Sequence, residues 1–166
     1  MQVLELMSQP VITCRPDDTL NRVAQLMWEH DCGAIPVTGD DGKLVGIITD
    51  RDVCMAAYMQ GAPLQAIRVT TVMAREVFSC QPQDSIGDAE RLMADKQIRR
   101  VPVLDGAGRP VGLLSLNDIA RENGSGARQA GFDRQLAQTL SAVCQPRRCS
   151  MTLRRFKGWA ERTATA

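Results

Sequence analysis

Two short constellations in this chain combine a hydroxyl and a carboxylate at the same spacing. Thr49 stands three residues before Asp52, and Ser115 stands three before Asp118. Each follows a glycine and two aliphatics, Gly46-Ile47-Ile48 and Gly112-Leu113-Leu114, and the copies lie 66 residues apart. The pattern is that of a capping box, in which the hydroxyl caps an amide three residues on and the carboxylate favours the positive end of the helix dipole. The same groups can bind a ligand. A helix starting directly after a buried strand presents amides that suit an anion. A carboxylate can accept hydrogen bonds from the paired 2′- and 3′-hydroxyls of a ribose. Arg51 sits between Thr49 and Asp52, where a guanidinium can fork onto phosphate. Arg99 and Arg100 add two charges before Val101-Pro102-Val103, with a solvated surface pair as the competing reading.

Nothing else in the chain assembles a reaction. It holds no Walker loop, nucleophile–base set or metal-ligand spacing, so an enzyme is a poor fit and no metal is expected. His30 is the only histidine and falls at the polar end of a helix. The six cysteines form no Cys-x-x-Cys pair. Cys14 and Cys80 occupy equivalent places, and small buried apolar side chains are the expected role of cysteines in the repeats. Cys144 and Cys149, in a polar segment, are expected to be exposed. At 166 residues, with 44% apolar and 23% charged residues, the chain has the balance of a globular protein with an aliphatic core. Its net charge of +1 is unevenly spread, because six Lys/Arg follow Pro146 against Glu161 alone. No apolar run spans a membrane and the first residues lack a signal pattern, which makes the cytoplasm the expected location.

The elements that must hold these residues repeat as well. At the offset of 66, matched pairs include Val11/Val77, Cys14/Cys80, Pro16/Pro82, Asp18/Asp84, Pro36/Pro102, Val37/Val103, Gly42/Gly108 and Gly46/Gly112. The pattern predicts, in each copy, an extended segment (11–14, 77–80) ended by proline, and a helix capped by Asp18-Thr19 or Asp84-Ser85. Two strands (34–38 and 44–48; 100–104 and 111–114) then join through an Asp/Gly turn, and a last helix begins at Thr49 or Ser115. One β-α-β-β-α unit buries little core, so two are expected to pack sheet to sheet around a cleft on a pseudo-dyad. Beyond Gly126 a helix is predicted over 132–144, with Leu136, Leu140 and Val143 on one stripe. Met151, Leu153, Phe156 and Trp159 suggest a short amphipathic helix in the basic remainder.

The duplicated unit, the Ile35-Pro36-Val37 and Val101-Pro102-Val103 strands and the Gly-x-x-(Thr/Ser)-x-x-Asp endings resemble the cystathionine-β-synthase (CBS) domain. The resemblance spans roughly residues 3 to 124 and is strongest for stand-alone bacterial pairs. It implies an α/β (α+β) fold of two tandem repeats packed as one pseudo-two-fold module, with residues 1–66 as the first repeat, 67–124 as the second, and 125–166 as linker, helix and basic tail. It further implies a homodimer, and clefts that take AMP, ADP, ATP or S-adenosylmethionine as regulatory ligands, with no obligatory cofactor. By position, Asp52 and Asp118 would hold ribose hydroxyls, and Thr49 and Ser115 ribose or phosphate. Ile12, Thr13, Val23, Phe78, Ser79 and Ala89 would flank adenine. Arg51, Arg99 and Arg100 would face phosphates.

The copies differ where a ligand would feel it. The first has Arg51 but Gly33-Ala34 before its Pro-Val strand; the second has Arg99-Arg100 but Asn117 in place of Arg51. One cleft is therefore expected to collect most of the arginines. The leading expectation is a module that senses an adenosine-containing nucleotide and signals to an effector protein by conformational change. Its competitors are an interaction or structural dimer with vestigial clefts, and nucleic-acid binding through Arg147, Arg148, Arg154, Arg155, Lys157 and Arg162, which is the least favoured.

Overall fold

The computed structural model describes residues 1–124 and 130–145. The basic remainder, with Cys149 and the proposed Met151–Trp159 stripe, lies outside the described residues. Within them the two repeats fold alike, because the same local signals act twice. Thr19 accepts from the Arg22 amide at 3.4 Å and opens α1 (Leu20–Glu29); Ser85 accepts from the Asp88 amide at 3.1 Å and opens α3 (Ile86–Lys96). The preceding aspartates act one step earlier. Asp18 accepts from the Arg15 amide at 2.8 Å and Asp84 from the Gln81 amide at 2.7 Å, closing the turns that contain Pro16 and Pro82.

Strand β1 (Ala34–Thr38) pairs antiparallel with β2 (Leu44–Thr49), and β3 (Arg100–Leu104) with β4 (Pro110–Ser115). Ile35 faces Ile48, Val101 faces Leu114, and both ladders slip at the equivalent step, Val37/Thr38 and Val103/Leu104. The connecting turns need glycine, since Gly42 and Gly108 have φ of 77° and 80°. The extended segments predicted over 11–14 and 77–80 are not full strands. Each touches its sheet by one parallel bridge, Cys14 to Val37 and Cys80 to Val103, before the proline turn carries the chain away. Helices α2 (Asp50–Gln60) and α4 (Leu116–Gly124) follow β2 and β4, and α2 ends on Gly61 at φ 58°.

The two cores do not respect the order of the chain. The first contains Leu20, Val23, Ile35, Val37, Ile48, Val53 and Ala56, but also Ile67, Val69, Val72 and Met73. The second contains Ile86, Ala89, Met93, Val101, Val103, Leu114 and Ile119, but also Val3. Each repeat's leading segment is thus built into the other repeat. The exchange is bonded the same way on both sides. The Val3 amide donates to Asp84 O and the Val69 amide to Asp18 O, both at 2.9 Å; Leu4 donates to Pro82 O and Thr70 to Pro16 O, also at 2.9 Å. After these turns the chain runs beside the far strand, Ser8 bridging Leu113 and Ala74 bridging Ile47. Met7 then lies against Gly112 and Met73 against Gly46. Each repeat depends on the other to complete its core, so the pair is one cooperative body.

The C-terminal helix, α5 (Ala130–Val143), packs on α3 and α4. Of the predicted stripe, Leu136 and Val143 are buried in the second core, but Leu140 is 40% exposed. The helix is turned so that Thr139, only 4% exposed, takes the inward place between them.

Candidate functional site

Both hydroxyl–carboxylate pairs form as read from the sequence. In the first, Thr49 Oγ1 donates to Asp52 Oδ2 at 2.7 Å, the Thr49 amide donates to the same oxygen at 3.0 Å, and the Asp52 amide donates to Thr49 Oγ1 at 3.2 Å. In the second, the corresponding distances are 2.6, 2.8 and 3.3 Å for Ser115 and Asp118. The reciprocal bonds hold both side chains in single rotamers at the junction of strand and helix.

The expected anion cradle at the start of α2 does not form. The Asp50 amide donates to Gly33 O at 3.2 Å, the Arg51 amide to Asp50 Oδ1 at 2.7 Å, and the Asp52 amide to Thr49 Oγ1. With those amides committed and two carboxylates in the first turn, an incoming phosphate must be met by guanidinium groups.

Arg100 supplies one across the repeat boundary. A Cβ placed on Gly33 would lie 2.6 Å from Arg100 Nη2 and 2.8 Å from Asp50 Oδ2. The guanidinium of the second repeat and the first carboxylate of α2 therefore close over the bare backbone of Gly33. The absence of a side chain there is what admits them. Cys32 borders the same spot; burial pushes its thiol up, while Arg100 pulls it down. Arg51 projects from the exposed surface of the same helix start, and Arg99 is exposed beside Arg100. None of these three arginines forms an ion pair with another described residue.

The pseudo-equivalent spot is built differently. There Arg99 replaces Gly33, Ala34 replaces Arg100 and Leu116 replaces Asp50, with Ala34 and Leu116 buried at 2% and 5% exposure. Asp118 is itself only 8% exposed. Its Oδ2 is held by Ser115 and its Oδ1 by Arg121, a residue whose counterpart in the first repeat is Met55. Arg121 and Asp50 are site residues that the sequence reading missed. Asp50 could have been found from its place inside Thr49-Asp50-Arg51-Asp52, and Arg121 from its spacing of three after Asp118.

The residues expected to flank adenine separate into two groups. Ile12, Thr13 and Phe78 are partly exposed and Ser79 is exposed, so all four have surface to offer. Phe78 carries Lys96 Nζ 4.6 Å from its ring centroid. Val23 and Ala89 do not join them. At 0% and 1% exposure they are core residues, because their helices turn these positions onto the sheet. Cys14 and Cys80, adjoining the extended segments, are buried with thiols pushed up to about 12, chiefly by loss of solvent and then by Asp18 and Asp84. Cys54 departs from the buried role expected of the repeats' cysteines and is exposed, as is Cys144.

Known proteins resemble this chain in sequence and in fold. The sequence is 41% identical over 118 residues to the CBS domain-containing protein YhcV of Bacillus subtilis, covering 71% of this chain and 82% of that one. Among solved structures, the CBS domain pair of protein MJ0100 in complex with 5′-methylthioadenosine and S-adenosyl-L-methionine superposes with a TM-score of 0.70 at 27% identity, over 76% of this chain and 98% of that one. A putative signal-transduction protein with CBS domains from Burkholderia ambifaria gives a TM-score of 0.68 at 27% identity, over 78% and 98% of the two chains. The family model described as CBS domain matches twice, over residues 3–58 and 69–124, and the chain therefore belongs to the CBS domain family as a tandem pair.

Proposed function

We propose that this protein is a regulatory module that binds an adenosine-containing ligand at the boundary of its two repeats, and that the cleft beside α2 is the principal site. The observation that carries this reading is the approach of Arg100, from the second repeat, to Gly33 and Asp50 of the first, next to the Thr49–Asp52 box. A ligand spanning that boundary has a carboxylate and hydroxyl on one side and guanidinium groups on the other, the polar ends required by a ribose and a phosphate. The MJ0100 pair, which holds 5′-methylthioadenosine and S-adenosyl-L-methionine, supports the ligand class. These arginines, without an ion pair among the described residues, favour a phosphorylated member of it, AMP, ADP or ATP. The opposite spot is weaker, because Ala34 stands there in place of Arg100 and supplies no charge. Occupancy would shift the relative placement of the repeats and pass that shift to an effector protein.

Calorimetry with AMP, ADP, ATP, NAD and S-adenosylmethionine tests this. One dominant site is expected. Replacing Arg51 and Arg100 together by alanine should weaken phosphorylated ligands by about 1.5–3 kcal/mol for each charge-assisted hydrogen bond removed, while leaving adenosine itself nearly unchanged. Two equal sites, no effect of the double replacement, or no binding across the panel would reject the reading. The last outcome would favour an interaction module with vestigial clefts.

A further inference from the structure

One buried charge in this molecule takes no part in the cleft. Glu90, on α3, is 0% exposed, and neither carboxylate oxygen has a hydrogen-bond partner among the described residues. Helical spacing places it on the stripe Gly87, Glu90, Ala94 and Gln97, the face on which α5 lies. Gln135 of α5 donates to Gly87 O at 3.5 Å at one end of that stripe, and Gln97 donates to Ala142 O at 3.3 Å at the other. Between these two contacts α5 brings Thr139, whose Oγ1 donates to its own helix, to Gln135 O at 3.0 Å. No group opposite Glu90 satisfies it.

The first repeat shows that this glutamate is not required by the fold. Its counterpart there is Ala24, and Trp28, the counterpart of Ala94, is 88% exposed. Among the described residues no helix covers α1 as α5 covers α3. The unpaired carboxylate thus belongs to the one helical face that has a cover.

We propose that α5 is a releasable cover on the second repeat, and that Glu90 beneath it is the proton-controlled latch. While α5 is docked, Glu90 must be neutral, since an isolated carboxylate in that position is strongly disfavoured. Burial alone pushes its carboxyl above the ordinary value, with no neighbouring charge contributing. The inward described side chains of α5, Gln135, Thr139 and Val143, do not titrate. Asp88 pairs with Arg91 at the surface, Asp118 pairs with Arg121, and Arg134 is exposed. Of the other charged groups described on α3 and α4, Lys96 lies over the Phe78 ring, Asp95 is exposed, and Glu122 is half-buried with a partner of its own.

The sign follows from which form holds the proton. Once α5 leaves, Glu90 returns to its ordinary carboxyl behaviour. Below that ordinary value both forms are protonated and docking is at full strength. Above it, docking must retain a proton that the released form gives up, and the docking constant falls about tenfold per pH unit until the docked form also ionises. Rising pH therefore favours release and uncovers the helical face of α3. Nothing in this chain of cause involves ligand in the cleft.

Hydrogen exchange on the full chain, corrected for intrinsic rates, provides the test. From about pH 5 to about pH 8, protection of the amides in α5 should fall by up to tenfold per unit while that of α1 stays constant. In Glu90→Gln, which keeps the shape and removes the titration, protection of α5 should not vary with pH. Glu90→Leu serves as the second variant and should hold α5 more tightly at neutral pH than the wild type. Constant α5 protection in the wild type, or a Glu90→Gln profile that follows the wild type, would overturn the proposal.

Discussion

Gly46 offers a direct measurement of how the two repeats are locked together. A methyl group there would lie 2.7 Å from Met73 Sδ, 3.2 Å from Met73 Cγ and 3.0 Å from Ala74 O. The sulfur can swing aside, but Met73 is only 9% exposed within the first core and must give up packing to do so. The carbonyl cannot, because Ala74 is tied to Ile47 in both directions, at 3.0 and 2.9 Å. Displacing the methionine side chain costs about 1.5–3 kcal/mol, and weakening the two-bond bridge costs about 0.5–1.5 kcal/mol for each bond. Partial relief between these losses puts Gly46→Ala at about 2–4 kcal/mol of destabilisation. In urea, with a slope of about 2 kcal/mol per molar, the midpoint should drop by roughly 1–2 M at unchanged slope. Gly112→Ala is the internal control. Its three nearest neighbours are all atoms of the Met7 side chain, with no carbonyl among those three, so it should cost less. A Gly46→Ala midpoint within about 0.2 M of wild type, or a larger loss in Gly112→Ala, would refute the idea that the exchanged segments are clamped by backbone contact.

Two further outcomes follow from the site. Gly33→Ala adds a methyl whose three nearest neighbours lie at the ends of two flexible side chains, Arg100 and Asp50, so thermal unfolding should move little. Arg100 would be pushed from its position, and ATP binding should weaken about tenfold by calorimetry, consistent with partial loss of one charge-assisted hydrogen bond. Alkylation mapped by mass spectrometry should separate the cysteines. Cys54 and Cys144 are exposed and should react quickly at about pH 8, whereas Cys14 and Cys80, with thiols near 12, carry about one ten-thousandth as thiolate and should react only after denaturation. Rapid native labelling of Cys14 would contradict its burial.

Much of the repeat was legible from local order. The caps at Thr19, Ser85, Thr49 and Ser115 involve partners three residues away, and the turns at Gly42 and Gly108 depend on the backbone freedom of one residue. These are short-range effects, and the chain carries them wherever it folds. The asymmetry between the copies was also visible, since Arg51 against Asn117 is a difference of residue type.

Other features required the chain to be folded. Val23 and Ala89 sit at helical positions that could serve a cleft or a core, and only the docking of α1 and α3 on their sheets put them inside. Leu140, expected on the apolar stripe, gives its inward place to Thr139 because α5 meets α3 and α4 at one particular rotation. The segments around Val3 and Val69 crossed to opposite repeats, an outcome of long-range packing that leaves no short-range trace. By itself the sequence determined a duplicated unit with two capped hydroxyl–carboxylate pairs, because spacing along one chain is enough for a cap. Only the tertiary structure decided that Arg100 reaches Gly33 and Asp50, and that Glu90 is sealed beneath α5. Both depend on residues far apart in sequence meeting in space, and on the loss of solvent when they meet.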